Sequence, residues 1–349
     1  MLLMSRPVPG ADWNEEMQND DPRGEAGPGH RVPRSPAAAR AAPQYHAPQE
    51  SPPQQPPQHP AQLQVGLVGA GRAGTALAAA LARAGHRVVS ASAVSAASVR
   101  RVRQILPGTA IRRPEQVVAE AGLVLLTVPD DALPGLVAGL AATGVPVAGR
   151  LLAHASGRHG LAVLDPAVRK GALPLALHPV MTFNGRPDDA DRLAGVSFGV
   201  TAPAALLPVA QALVVEMGGE PVTIEEGARD LYHAALAGAA NHLVTLVAQS
   251  AELLREAGVS DPARMLGPLL SAALDSALRL GDGALTGPVA RGDADTVSGH
   301  IAALRAAAPA ALPAYLALAR LTADRGLAAG ILTAADAQRL LGVLSGWPE

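Results

Sequence analysis

Six residues, Gly69-Ala70-Gly71-Arg72-Ala73-Gly74, stand between a short apolar run and a helical pattern. Glycines at this spacing do three different jobs in a dinucleotide-binding turn. Gly69 permits the reversal, Gly71 lets the backbone approach a pyrophosphate without a Cβ in the way, and Gly74 lets the helix lie close to the strand. The first N–H groups of the helix, at Arg72, Ala73 and Gly74, lack partners within it and sit at the positive end of its dipole. They can therefore bind phosphate. The competing reading is a tight turn of the same shape that has lost its ligand. An acid at the end of the second strand would hold the ribose 2′-hydroxyl of NAD. Residues 88–96 contain no acid and offer Ser90, Ser92 and Ser95, with Arg100, Arg101 and Arg103 following. Guanidinium pairs with phosphate oxygens in a fork, so NADP is expected over NAD. A solvated helix face would account for one or more of these arginines equally well. Val128-Pro129-Asp130 closes the next strong apolar run and should line the nucleotide side of the cleft. Asp130 could equally be an N-cap.

Hydride transfer needs a proton donor or acceptor beside the reacting oxygen or nitrogen. Ser156, in His154-Ala155-Ser156-Gly157, and His178, in His178-Pro179, each follow an expected strand and should emerge at the ligand-facing edge. A neutral imidazole suits proton exchange near neutral pH. The plainer alternative is that Ser156 caps the next helix and His178 orders the Pro179 turn. His154 could orient either one. His233 and Asn241 share one helical pattern, about 80° apart around the axis and so on a similar side. His233 is a candidate base, or else a satisfied core or interface histidine. Thr286 and Arg291 lie in a Gly/Pro-rich stretch. Arg291 is the best available fork for a substrate carboxylate, or a surface arginine paired with Asp293. Seven histidines lie beyond residue 62, and none has metal-ligand spacing.

These residues need a frame, and the chain supplies an alternation of strand and helix signals. Strands are expected at 64–69, 86–91, 109–112, 123–128, 151–154, 173–177, 196–201 and 221–224. Helices are expected at 72–84, 95–106, 114–121 and 204–217. Such alternation predicts a mostly parallel sheet covered by helices, an α/β class. The pattern changes at residue 225. A long helical stretch runs from 225 to 257, broken only by Gly238, and helical segments follow near 262–280, 293–307, 310–325 and 333–345. The expected division is a tail at 1–62, a dinucleotide-binding domain at 63–225 and an all-helical domain at 226–349. The tail holds 13 of the 31 prolines and is poor in large apolar residues. A segment of this kind buries too little surface to offset its chain entropy, so disorder is expected.

Composition excludes several classes. Of the 349 residues 49% are apolar and only 2% aromatic, so the core must be built of Ala, Leu and Val. The formal net charge of −2 argues against a nucleic-acid partner. There is no cysteine, which rules out disulfides and thiolate chemistry. No uninterrupted run of 18 apolar residues marks a membrane span, and no signal peptide is evident, so a soluble cytoplasmic protein is expected.

The motifs together resemble a known family. They are Gly69–Gly74, Val128-Pro129-Asp130-Asp131, His154-Ala155-Ser156-Gly157, His178-Pro179 with Thr182-Phe183, Tyr232-His233 with Asn241, and 285–293. The chain is similar, over roughly residues 63–345, to bacterial proteins that join a Rossmann-like domain to the domain of unknown function 2520. That family resembles a wider group with a helical C-terminal domain like that of 6-phosphogluconate dehydrogenase. The group includes prephenate dehydrogenases, pyrroline-5-carboxylate reductases and ketopantoate reductases. The resemblance implies an NAD(P)-dependent oxidoreductase acting on a small carboxylate-bearing ketone, alcohol or imine, and a homodimer paired through the helical domain. Ser156 and His178-Pro179 look similar to the serine and His-Pro that flank the nicotinamide in prephenate dehydrogenases. Two departures are visible. Family members carry an arginine in a Ser-Arg-Ser-like turn, where this chain reads Ser92-Ala93-Val94-Ser95. Hydroxyacid dehydrogenases of the group carry a lysine four residues before the asparagine, where this chain has Ala237. The missing lysine motivates an alternative, a protein that binds or senses the dinucleotide without turnover.

Overall fold

The computed structural model describes residues 62–345. The tail expected to be disordered lies, but for Gln62, outside the described residues.

Eight strands form one sheet: β1 (Gln64–Val68), β2 (Arg87–Ser92), β3 (Ala110–Ile111), β4 (Leu123–Leu126), β5 (Leu151–His154), β6 (Leu173–Pro179), β7 (Ser197–Thr201) and β8 (Glu220–Thr223). Their order is β3-β2-β1-β4-β5-β6-β7-β8. Between them run α1 (Arg72–Arg83), α2 (Ala96–Ile105), α3 (Pro114–Glu120), α4 (Leu133–Ala142), α5 (Asp165–Val168) and α6 (Leu207–Glu216). The first six strands are parallel, as helical crossovers require. The chain order reverses between β1 and β4, which opens a crevice at their carboxyl ends. Register aligns that edge. Val68 pairs with Leu126, Leu126 with His154, and His154 with Ala176. The turns carrying Gly69, Val128 and Ser156 therefore share one side of the sheet, with His178 two residues beyond Ala176.

One pairing departs from a parallel reading. β7 runs antiparallel to β6, with His178 opposite Gly199. The connection between them holds only a short 3-10 turn (Pro187–Leu193) and no crossover helix. Without a crossover the chain returns in the opposite direction.

The central strands of the sheet are buried on both faces. Leu123–Leu126 is sealed along its whole length, which is why it reads as an unbroken apolar run. One face packs on α1 and α6 around Leu77, Leu81, Leu213 and Phe198, the other on α3 and α4 around Val117, Val137 and Leu140. Small residues compensate for the lack of aromatics. The buried run Ala76, Ala78, Ala79 and Ala80 lets α1 approach the sheet closely.

The rest of the chain is helical: α7 (Arg229–Ala237), a wide π-type turn (Gly238–His242), α8 (Leu243–Glu256), α9 (Pro262–Leu280), α10 (Gly287–Ala290), α11 (Ala294–Ala307), α12 (Leu312–Ala328) and α13 (Ala334–Ser345). A separate core of Val297, Ile301, Leu316, Leu340 and Leu344 holds α11, α12 and α13 together. The stretch Glu226–Glu256 is long and apolar enough, by length and composition alone, to cross a membrane, and none of its apolar window is buried within the chain. Leu231, Val244, Leu269 and Leu278 are all exposed along α7, α8 and α9.

Candidate functional site

The glycine turn has the geometry that its spacing implies. Gly69 sits at φ +94°, in the left-handed region, and a Cβ there would press on the Thr127 backbone at 2.9 Å. A Cβ at Gly74 would collide with the Thr127 hydroxyl and come within 2.9 Å of Leu67 Cδ1. At Gly71 the nearest atom to such a Cβ is 3.9 Å away, so the space before it is open. Gly71 is the N-cap of α1 and no side chain caps that helix, which leaves the leading N–H groups of Arg72, Ala73 and Gly74 outside any intrahelical bond. Two bonds brace the turn. Thr127 Oγ1 donates to the Gly69 carbonyl at 2.6 Å, and the Ala70 N–H donates to the Ser92 carbonyl at 3.1 Å.

Of the arginines on α2, Arg101 reaches the turn and donates from Nη1 to the Ala70 carbonyl at 3.0 Å. The Arg72 and Arg101 side chains meet at Gly185, in the loop that follows β6. Ser92 is buried at the end of β2. The Ser95 hydroxyl caps α2, accepting from the Ser98 N–H at 3.1 Å. Val128 packs on Gly69 through Cγ1. The Pro129 carbonyl accepts from Ala132 and Leu133, starting α4. The Asp130 carbonyl faces His159 Nε2 at 3.0 Å.

The catalytic candidates divide. His154 is sealed. Its Nε2 lies 2.8 Å from the Gly160 carbonyl, and its Nδ1 accepts from the Ser156 N–H at 3.3 Å. Burial holds its pKa down to about 4. Both nitrogens are thus spent on the 154–160 turn. Ser156 Oγ accepts from the His159 N–H at 3.0 Å, which makes it a turn-former too.

His178, His233 and Asn241 come together. They line one cavity of about 290 Å³ with Pro179, Met181 and Thr182. The rings of His178 and His233 meet edge to face, their centroids 6.0 Å apart. A Cβ at Gly157 would lie 2.9 Å from His178 Nε2 and 2.6 Å from His233 Cδ2, so only glycine lets both rings approach that turn. The wide turn Gly238–His242 matters here. A π-turn takes up one residue more than an α-turn. It thereby rotates Asn241 back toward the face that carries His233, closing the offset expected of a regular helix. Burial, with His233 and Arg229 adding positive charge nearby, holds the His178 pKa down to about 4.

Two residues of this site were not picked from the sequence. Tyr232 places its hydroxyl 2.8 Å from His178 Nδ1. Arg229, only 2% exposed, uses its whole fork on uncharged oxygens. Nε donates to Thr201 Oγ1 (2.9 Å), Nη1 to the Ser156 carbonyl (3.2 Å), and Nη2 to the carbonyls of Ala176 (3.3 Å) and Gly199 (3.0 Å). The first turn of α7 is thereby stitched to β6, β7 and the turn after β5. Glu226 adds a second tie, accepting from the N–H groups of Leu161 (2.7 Å) and Ala162 (3.1 Å). The sequence signal was slight: a Glu-Gly-Ala-Arg run that reads as an ordinary solvated helix start.

Thr286 and Arg291 are not brought to this cavity. Thr286 lines a larger one, about 540 Å³, between α8, α10, α11 and α12, beside His300 and Tyr315. Arg291 is exposed at the end of α10. Among the described residues no group of histidines and acids could hold a metal.

A doubly wound sheet with a glycine turn at its switch point, followed by a helical region, defines a Rossmann-type protein with a helical C-terminal part. Residues 49–179 match the Rossmann-like domain family, and residues 196–322 match the domain of unknown function DUF2520. The chain belongs to the proteins that join these two domains. No curated protein matches it. Among solved structures it is similar to BF3122 from Bacteroides fragilis, a protein assigned as an NADP oxidoreductase. The identity is 24% and the TM-score 0.62, over 75% of this chain and 98% of that one. Protein TM1727 from Thermotoga maritima is 20% identical with a TM-score of 0.58, over 76% and 99%. The reductive aminase from Aspergillus terreus, in complex with NADPH and ethyl levulinate, is 19% identical with a TM-score of 0.55, over 80% and 98%. At these identities the likeness is one of fold.

Proposed function

We propose that the chain is an NADP-dependent oxidoreductase whose reacting site is the His178 cavity. The observation that carries this reading is the convergence of His178, His233 and Asn241 on one cavity, beyond the same sheet edge as an open, uncapped glycine turn. The turn suits a dinucleotide diphosphate: space before Gly71 is free, and the N–H groups of Arg72, Ala73 and Gly74 lead the helix. Arg101, lying over the turn, and Arg72 beside it are the cations available to a 2′-phosphate, which supports NADP over NAD. Val128 and Pro129 would border the nucleotide.

When bound, a nicotinamide supplies or accepts the hydride. The chain's own residues do the remainder. His178 Nε2 directs a hydrogen bond at the reacting group, Asn241 orients it, and the apolar wall from Leu236 to Ala240 excludes water. The substrate proposed is a small ketone, alcohol or imine. Arg291 lies away from this cavity within one chain, so its part in holding a carboxylate gains no support here. Residues 63–225 would bind the cofactor. Residues 226–349 would complete the substrate site and pair with a second copy through α7, α8 and α9, whose apolar side chains are otherwise uncovered.

The test is direct. The purified chain should quench or shift NADPH fluorescence, and NADPH oxidation should be screened against ketones, keto acids and cyclic imines, with His178→Ala as control. No binding of NADPH would remove the proposal. A second reading, dinucleotide sensing without turnover, draws on Ala237, which lines the cavity where related dehydrogenases place lysine. Tight NADPH binding with no oxidation across the panel would favour it.

A further inference from the structure

The loop that follows β6 touches two places that matter for a cofactor. Thr182, at its start, lines the His178 cavity. Gly185, three residues on, rests against the side chains of Arg72 on α1 and Arg101 on α2. It sits at φ +78°, and the point where a Cβ would stand lies 2.7 Å from Arg72 Cγ, 3.2 Å from Arg72 Cδ and 3.3 Å from Arg101 Nε. A larger residue there would have to displace one arginine or the other and would strain the backbone as well.

Gly185 is held in this place. Asp189 is sealed from solvent. One of its oxygens accepts from the N–H groups of Gly185 (2.7 Å) and Arg186 (3.3 Å), and the other accepts from Arg192 Nη1 (2.8 Å). Arg192 Nη1 also donates to the Thr182 carbonyl at 3.3 Å. Thr182 and Gly185 thus hang on one buried carboxylate, and Met181 and Phe183 pack on the core of the sheet. A buried polar network whose members are satisfied makes a segment rigid.

The side chains that meet at this loop are both cationic. Arg101 Nη1 donates to the Ala70 carbonyl, and the Ala70 N–H donates to the carbonyl of Ser92, the last residue of β2. The end of the second strand is where a sheet of this class holds the ribose 2′ position of a dinucleotide. Neither Arg72 nor Arg101 makes an ion pair with an acid among the described residues. Residues 92–96 supply no acid either. Two cations brought together without an anion repel each other, and a phosphate bound by both relieves the repulsion.

We infer that Gly185 is a positioning residue for cofactor choice: the loop after β6, pinned by Asp189, seats Arg72 and Arg101 as a pair for the 2′-phosphate of NADP, a role for which the turn 92–95 has no arginine. The inference rests on the reading of the chain as a dinucleotide-dependent oxidoreductase. It assigns discrimination against NAD to a loop far along the chain from β2.

Calorimetric titration of the full chain with NADPH and with NADH reads the discrimination, and adenosine 2′,5′-bisphosphate against 5′-AMP isolates the phosphate. The parent chain should bind NADPH at least about tenfold more tightly than NADH, the worth of a charge-assisted hydrogen bond. Gly185→Ala drives a methyl into Arg72 and should bring the ratio close to one by weakening NADPH alone. Gly185→Asn, which tolerates the left-handed backbone, should do the same and stands in if the alanine variant fails to fold. In a chain that already carries Arg72→Gln and Arg101→Gln, Gly185→Ala should change the ratio no further. A merely structural role would lower both affinities in either background. Equal loss of NADPH and NADH affinity in Gly185→Ala, or an unchanged ratio, would overturn the inference. So would a parent chain that binds both nucleotides equally, a result that leaves the oxidoreductase reading standing. Absence of binding to either nucleotide defeats that reading and the inference together.

Discussion

His178 Nδ1 and the Tyr232 hydroxyl lie 2.8 Å apart, joining the last turn of a central strand to the first turns of the long helix. The contact spans two parts of the chain that the sequence separates by 54 residues. It depends on Arg229 one helical turn earlier, whose fork reaches β6, β7 and the turn after β5. The cavity lined by His178 and His233 thus lies at a joint between sheet and helix.

The two neighbouring glycines of the turn should separate folding from binding. Gly74→Ala drives a methyl into Thr127 and Leu67. It should cost about 1–3 kcal/mol, a lowered midpoint in thermal unfolding. Gly71→Ala meets nothing closer than 3.9 Å. Its thermal midpoint should stay put while NADPH affinity falls at least about tenfold, because the methyl stands where the diphosphate must approach. Calorimetric titration beside a melting curve reads both. An unchanged affinity in Gly71→Ala would place the diphosphate elsewhere.

Arg229→Met retains much of the side-chain volume and removes every hydrogen bond of the fork. Four buried acceptors lose their donor, among them the carbonyls of Ser156, Ala176 and Gly199. A loss of about 3 kcal/mol in urea unfolding is expected. An unaltered midpoint would mean that the clamp contributes nothing to the joint.

Acid should weaken the fold through two histidines. His154 and His178 both have folded-state pKa values of about 4, below the ordinary 6.5, chiefly because burial disfavours the charged ring. The unfolded chain therefore binds more protons between these values. Stability is full above about pH 6.5 and declines as pH falls toward 4, by on the order of 3 kcal/mol for each ring. Urea midpoints between pH 7.5 and 4.5 measure the slope. His154→Asn should flatten it by about half, and a slope that steepens instead would show the assignment to be wrong.

The uncovered apolar side chains on α7, α8 and α9 predict association. Leu231 and Leu278 are 77% and 79% exposed in the single chain. Large exposed apolar side chains gathered along these helices are expected at an interface. Light scattering should give a dimer mass, and Leu231→Glu with Leu278→Glu should shift it toward the monomer. A monomeric mass for the parent chain would contradict the pairing proposed for this face.

The sequence by itself determined what is encoded within ten residues or so. The glycine turn, the strand before it, the helix after it and the helix ends at Gly85 and Gly218 were all legible. So were the sealed strand Leu123–Leu126 and the change to an all-helical region after β8. Local sterics and periodicity write these features directly into neighbouring residues. His178, His233 and Asn241 could be named as candidates because they emerge at strand ends or on one helical stretch.

Tertiary structure decided everything that depends on partners distant along the chain. Ser156 looked equal to His178, and His154 a lesser partner to either, yet both His154 nitrogens and the Ser156 hydroxyl oxygen bond within the 154–160 turn, and only packing reveals it. β7 runs antiparallel because its connection lacks a helix, a matter of topology. Asn241 and His233, already on a similar side of a regular helix, are brought closer in phase by the wide turn and line one cavity. Tyr232 stood out in the sequence only as part of the Tyr232-His233 motif, and Arg229 only as an ordinary helix start. Packing gives them their place: Arg229 is sealed against acceptors on three separate segments, and Tyr232 reaches His178. A hydrogen bond is specified by two positions in space, and a linear chain states only one of them at a time.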